Sequence, residues 1–207
     1  SIHWYRTPLS REVHQALHAR SDVQGFLQTG GYLGLLALTG SAAVYSAGHW
    51  PWSATLALLF AHGTGWSFMV NGFHELVHDS VFKTRWLNGF FLRIISFLGW
   101  LNHHQFWASH TEHHKYTLHP PADLEVVLRM KVRLKDFLRS GFVNLDGIKW
   151  MYGATLRIAK GRLEGEWEHI LFDGRPDAYR DLVNWARIVI VGHLVIVIGS
   201  LLMGWWM

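Results

Sequence analysis

The stretches His74-Glu75-Leu76-Val77-His78 and His110-Thr111-Glu112-His113-His114 each follow an apolar segment; we call them the first and the second cluster. On a helix, residues four apart lie on the same face, so each stretch presents imidazoles side by side. Imidazole is a ligand for zinc, copper, iron and nickel. Grouped imidazoles at a membrane edge are costly without compensation, which a shared metal supplies. We therefore predict that five histidines bind metal: His74, His78, His110, His113 and His114.

The residues before the first cluster predict a membrane hairpin. From Val23 to Phe73 the sequence contains no Asp, Glu, Lys or Arg, and about 20 apolar residues suffice to cross a bilayer. In the middle, His49-Trp50-Pro51-Trp52 supplies a helix break and interfacial Trp rings. We expect spans near 26–48 and 52–73. The alternative is a buried hairpin of a soluble core, but soluble helices rarely run so far without charge.

The apolar pattern is weaker beyond the first cluster and returns at the end of the chain. Residues 86–109 are apolar but interrupted by Arg93, which predicts an interfacial or half-buried helix. A third span is expected at 184–207, where no charge follows Arg187. The polar region 74–181 is expected to be cytoplasmic or interfacial.

Composition narrows the chemistry. The 207 residues include no Cys, which excludes disulfides, thiolate metal sites and iron–sulfur clusters. Without Cys, any metal must be held by His, carboxylate or amide groups. The 15 histidines equal the 15 acidic residues in number, and this excess of histidine is the strongest signal in the composition. The net charge of +4 comes without a nucleic-acid-binding motif, and we expect no nucleic-acid partner.

The distribution of basic residues predicts the orientation. If the N-terminus is inside, all 19 Lys and Arg lie on or near the inner side of the membrane, as the positive-inside rule expects. Both clusters then face the cytoplasm. The predicted fold class is all-α: a multi-pass membrane protein with a transmembrane hairpin, interfacial helices and a cytoplasmic histidine-rich cap.

Groups other than the five predicted ligands have plainer interpretations. Ligating imidazoles commonly donate their other N–H to a carboxylate or carbonyl. Five nearby residues are therefore candidates to orient the ligands: Glu75, Asp79, His103, Glu112 and Asp123. For Asp79 and Asp123, a solvated surface charge is an equal alternative. For three histidines in apolar segments we expect hydrogen-bonded structural roles: His49, His62 and His193.

The first cluster is literally H-E-x-x-H, the zinc protease motif in which Glu75 would be the general base. One catalytic zinc takes three protein ligands and a water. The three histidines of the second cluster exceed that requirement, and the surplus favours two metals. A zinc metalloprotease of the membrane remains one alternative, and a non-enzymatic metal or haem carrier is another.

The clusters and their flanking sequences resemble those of the membrane fatty acid desaturase and hydroxylase superfamily. An H-x-x-x-H box after a transmembrane hairpin, within Phe73-His74-Glu75-Leu76-Val77-His78, is followed by H-x-x-H-H within His110-Thr111-Glu112-His113-His114-Lys115-Tyr116-Thr117. The resemblance covers residues 26–207. It implies that His74 and His78 are box one and that His110, His113 and His114 are box two of a di-iron centre. The family's third box is not present, so the resemblance predicts an N-terminal fragment of a single desaturase-like domain, 1–207, without activity of its own.

The resemblance also implies an activity. Family proteins use two iron ions and molecular oxygen to introduce a double bond, or a hydroxyl group, into a fatty acyl or related lipid chain. Electrons then come from an external ferredoxin, or from a small b-type cytochrome with its reductase. The expected location is a bacterial inner membrane or the endoplasmic reticulum.

Overall fold

The computed structural model describes residues 7–126, 133–135 and 144–204, and regular structure in these residues is helical. The chain divides into two compact units, with the boundary between Leu101 and Asn102. The first unit contains α1 Arg11–Leu17, α2 Asp22–His49, α3 Trp52–Ser67, α4 Met69–Val77 and α5 Arg85–Leu98. The second contains α6 His103–Tyr116, α7 Leu145–Ala159, α8 Gly165–Phe172 and α9 Pro176–Leu202.

Helices α2 and α3 form the predicted hairpin, joined at Trp50 and Pro51. Polar side chains link the two helices at intervals along their length. Three hydrogen bonds do so: Tyr32 Oη–Gly65 O at 2.9 Å, Thr39 Oγ1–His62 Nδ1 at 2.9 Å and Ser46 Oγ–Thr55 Oγ1 at 3.0 Å. Because a polar group in an apolar setting is costly unless it is bonded, these links fix the register of the hairpin. The expectation of a hydrogen-bonded structural role for His62 is confirmed.

The segment after α4 is anchored by buried polar contacts. The Asn88 amide is fully buried, accepts from the N–H of Phe82 at 2.9 Å and donates to its carbonyl at 3.0 Å. Thr84 donates its N–H and its hydroxyl to the Asp22 carboxylate at 2.8 and 2.7 Å. These two hydrogen bonds lower the pKa of Asp22 at the start of α2. Since a Cβ on Gly25 would lie 2.5 Å from the Phe82 ring, α2 approaches this segment closely only with glycine there.

The second unit is built on a small apolar core. Six buried side chains from α7, α8 and α9 form it: Ile158, Leu171, Phe172, Leu182, Val183 and Ala186. Asn144 caps the start of α7, since its Oδ1 accepts from the N–H of Gly147 at 2.9 Å, and α9 begins at Pro176. Ala108 of α6 packs against this core, which connects the helix of the second cluster to the other three helices.

Among the described helices, Pro176–Leu202 is the one that is long and apolar enough to cross a membrane. It begins eight residues before the predicted third span at 184–207, whose last three residues, 205–207, lie outside the described residues. Parts of the predicted cytoplasmic region 74–181, namely 127–132 and 136–143, also lie outside them. The all-helical class is confirmed. The three spans and the multi-pass topology stay predictions.

Two predicted helices are divided in the structure. The segment predicted as the span 52–73 ends as α3 at Ser67, and α4 continues from Met69 into the first cluster. The segment 86–109 divides into α5 and α6, with Trp100 at a positive φ of 56° between them. Each cluster therefore lies on a short helix of its own, after a break in the predicted segment.

Candidate metal centre

The first cluster lies at the end of α4. Residues Phe73, Leu76 and Val77 are buried and hold one face of this helix against the first unit. His74 and His78, four residues apart, lie on another face, with ring centroids 4.7 Å apart and the rings nearly perpendicular. The helix geometry therefore brings together the two imidazoles of the predicted box one.

Glu75 contacts its neighbour in the first cluster. His74 Nδ1 lies 3.0 Å from Glu75 Oε1, and Ser80 Oγ donates to Glu75 Oε2 at 3.0 Å. The hydrogen bond with His74, assisted by that with Ser80, outweighs partial burial and lowers the pKa of Glu75. Since an ionised carboxylate only accepts, this contact places a proton on Nδ1 of His74, so Nε2 is the ring nitrogen that could bind a metal. The carboxylate is 57% exposed, so water competes for this contact.

The second cluster lies on α6, whose N-cap Asn102 accepts from the N–H groups of His104 and Gln105 at 3.2 Å each. The helix places His110 and His114 on one face, with their Nε2 atoms 3.0 Å apart. The ring of His113 lies 5.5 Å from that of His110, centroid to centroid. The three histidines of the predicted box two therefore form one compact group.

The segment after α6 turns back and supplies two carboxylates to this group. His110 Nδ1 lies 2.6 Å from Glu125 Oε1, and His113 Nδ1 lies 2.8 Å from Asp123 Oδ2. As for His74, the acceptor character of a carboxylate places a proton on Nδ1, so Nε2 is the ring nitrogen that could bind a metal. Both pairs are well shielded, because the Glu125 and Asp123 side chains are 16% and 0% exposed.

Asp123 is fixed by backbone groups as well as by His113. The N–H of Leu118 donates to Oδ2 at 2.6 Å, and the N–H of Glu125 donates to Oδ1 at 3.0 Å. Burial alone would raise the pKa of Asp123, but the hydrogen bonds from Leu118, Glu125 and His113 together lower it. Asp123 is therefore ionised at neutral pH and holds the ring of His113 in one orientation.

These contacts are those expected of imidazoles that bind a metal. In three of the five predicted ligands the Nδ1 atom faces a carboxylate: His74, His110 and His113. Such a partner selects the tautomer, fixes the ring and increases the basicity of the ligating nitrogen. The nitrogen donors suit iron, zinc or copper, and the donor set fits the two irons that the family resemblance predicts.

The other predicted orienting residues are placed as follows. Glu112 forms an ion pair with Lys115 at 2.7 Å, and Asp79 follows the C-cap of α4 at a positive φ of 54°. His103 is buried and its ring packs edge-on against Trp185, with a centroid distance of 4.4 Å. Glu125 was missed. A signal for it existed, because Asp123 and Glu125 alternate in a short acidic segment and residues two apart in an extended chain point to the same side.

A known protein family matches most of the chain. The family model described as fatty acid desaturase matches residues 49–207, which include both clusters. The chain belongs to the fatty acid desaturase family. No curated protein and no solved structure gives a significant match to it.

Proposed function

We propose that this protein is a membrane-bound, oxygen-dependent oxidoreductase that introduces a double bond, or a hydroxyl group, into a fatty acyl or related lipid chain. Five histidines of the two clusters would hold two irons: His74, His78, His110, His113 and His114. The observation that carries the proposal is the carboxylate on Nδ1 of three of these imidazoles. Family membership supports the reaction class.

The irons, when bound, supply oxygen-dependent removal of hydrogen from an unactivated C–H bond. The chain's own residues supply fixed nitrogen donors. Asp123 and Glu125 keep the proton of His113 and of His110 on Nδ1 and orient each ring so that Nε2 faces away from the carboxylate. The shielding of these two carboxylates keeps water from competing for the imidazole N–H groups.

The contacts of Glu75 support the desaturase assignment over a zinc protease. A protease base must reach a metal-bound water. In this chain Glu75 is engaged by His74 and by Ser80, which suits a group that orients an imidazole. The three imidazoles of the second cluster also exceed the ligand set of a single catalytic zinc.

We further propose that the protein is multi-pass, with both clusters on the cytoplasmic side, and that a ferredoxin or a small b-type cytochrome delivers electrons there. The one-sided distribution of Lys and Arg supports this orientation. Tags at the N-terminus and at residue 140 should both be cytoplasmic, and a tag in the 49–52 loop should be on the opposite side. A tag at residue 140 on the same side as the 49–52 tag would contradict the topology.

The function is tested by metal analysis of the full-length protein purified from membranes. Two irons per chain, together with desaturated or hydroxylated lipid when oxygen and a reductant are supplied, are the expected result. One zinc per chain with peptide cleavage would identify a protease instead. A haem absorbance without lipid oxidation would identify a carrier.

A further inference from the structure

Helix α8 contacts the ligand-bearing helix α6 through two adjacent side chains. Trp167 Nε1–H donates a hydrogen bond of 3.0 Å to Ser109 Oγ, and Gln105 Nε2 donates one of 3.3 Å to Glu168 Oε1. Because Gln105 and Ser109 are four residues apart, both contacts fall on one face of α6. Ser109 directly precedes His110, so the contact lies one residue from a predicted ligand.

The carboxylate of Glu168 is itself firmly held. It is 8% exposed, and two guanidinium nitrogens of Arg157 on α7 donate to its oxygens at 2.6 and 2.7 Å. The N–H of Glu164 adds a hydrogen bond of 2.8 Å. A bidentate pair with a guanidinium is geometrically specific, and a buried carboxylate with several donors has little freedom. Glu168 therefore offers Gln105 an acceptor at a fixed position.

The start of α6 is fixed by a different helix. Asn102 Nδ2 donates to the carbonyl of Leu182 on α9 at 3.0 Å, and the ring of His103 packs edge-on against Trp185. Helix α6 is thus attached to α9 at its first turn and to α8 near its middle. Two attachments along one helix restrict rotation about its axis, and that rotation sets the direction of every side chain on it.

We propose that Trp167 and Glu168 are positioning residues that fix the rotation of α6 and with it the direction in which the imidazole of His110 faces. Their effect on the ligand passes through Ser109 and Gln105. The inference rests on the proposed di-iron function, because the direction of an imidazole matters to the chemistry only if it binds metal. If the contacts served stability alone, the bound metal would be unaffected by their loss.

The test uses single substitutions in the full-length protein that remove one hydrogen bond and keep the packing. Trp167→Phe retains an aromatic ring without the N–H donor, and Ser109→Ala removes the acceptor from the other side of the same bond. Trp150→Phe is the matched control, because Trp150 is on α7 and 72% exposed. Each variant is measured for iron affinity, for the ligand-field spectrum of the cobalt(II)-loaded protein at saturating metal, and for its unfolding midpoint.

We expect Trp167→Phe and Ser109→Ala each to weaken iron binding by about 10-fold, the lower end of the range for groups that orient metal ligands. The cobalt spectrum should shift in both variants while the unfolding midpoint changes little. The double variant should lose no more than either single one, because both remove the same bond. An unshifted spectrum, or losses that simply add, would overturn the inference.

Glu168→Gln keeps the shape of the side chain but removes the charge that Arg157 holds, and Glu166→Gln on the same helix is its control. Amide hydrogen exchange of α6 in the metal-free protein should increase in Glu168→Gln and in Trp167→Phe, and stay unchanged in both controls. Unchanged exchange in α6 overturns the inference whatever the metal content. A wild-type protein without iron, but with α6 exchange that depends on Trp167, would instead overturn the proposed function.

Discussion

The first and the second cluster present imidazoles in the same helical spacing but support them differently. In the first, His74 is contacted by Glu75, the next residue in the chain, and that carboxylate is 57% exposed. In the second, His110 and His113 are contacted by Glu125 and Asp123, 15 and 10 residues away, and both carboxylates are largely or fully buried. The second cluster therefore depends on the fold around it.

The difference shows that imidazoles with the same spacing can be oriented either by an exposed carboxylate or by a buried one. A hydrogen bond shielded from water resists competition, whereas an exposed one exchanges readily with solvent. We infer that the second cluster is the preorganised part of the proposed centre. The imidazoles of the first cluster are held less firmly, so loss of the Glu75 carboxylate should lower iron affinity less than loss of the Asp123 carboxylate.

The largest effect is expected from loss of the ligands, and it should be similar in both clusters if they serve one centre. Alanine at any of the five histidines should lower iron occupancy and lipid oxidation together. The loss should exceed that caused by removal of an orienting group, which is typically about 10-fold to 100-fold. His49→Ala and His169→Ala are controls outside the clusters. Iron quantification and lipid product analysis provide the measurement. Two irons and normal product in all three variants of the second cluster would refute its role as a ligand set.

A smaller but clear effect is expected from Asp123→Asn. The amide has one oxygen and one NH2 group, so it faces the N–H of either Glu125, which donates to Oδ1, or Leu118, which donates to Oδ2, with another N–H. The ring of His113 is then held less firmly, so iron affinity should fall by about 10-fold to 100-fold. The unfolding free energy should also fall, by about 1–3 kcal/mol, for the unsatisfied buried donors. Asp173→Asn is the matched control, because Asp173 is 66% exposed. Equal iron affinity in the variant and the wild type would remove the contrast between the clusters.

Glu75→Gln should be milder than Asp123→Asn, because the exposed carboxylate competes with water for His74. We expect iron content to stay largely intact and iron affinity to fall by less than about 10-fold. Glu166→Gln serves as a control for loss of a single exposed charge. If the wild type cleaves peptides and Glu75→Gln abolishes that cleavage with the metal retained, the desaturase assignment is wrong.

The smallest effect concerns acid stability of the metal-free protein. The pKa of Asp123 is lowered by folding, so the stability it contributes is fully present above its unfolded pKa of about 3.9 and is lost as the pH falls through its lower folded value. Denaturant unfolding from pH 6 to pH 3 should therefore show a weaker pH dependence in Asp123→Asn than in the wild type. A parallel pH profile for the two proteins would mean that this carboxylate is not fixed as described.

The sequence alone determined the helical class, the two clusters and the family. Local rules suffice for these features, because helical spacing places His74 beside His78 without help from distant residues. Asp123 was a candidate orienting group, since an acid close to a cluster is a natural partner for a ligating imidazole, with a solvated surface charge as an equal alternative.

The tertiary structure decided which carboxylate faces which imidazole and what fixes α6. The partnership of Glu125 with His110 requires the chain after α6 to turn back, and the contact of Trp167 with Ser109 joins residues 58 apart. Periodicity reports only which residues share a face of one element. Contacts between elements depend on the packing of side chains distant in sequence, so they emerge only when the helices pack against a common core.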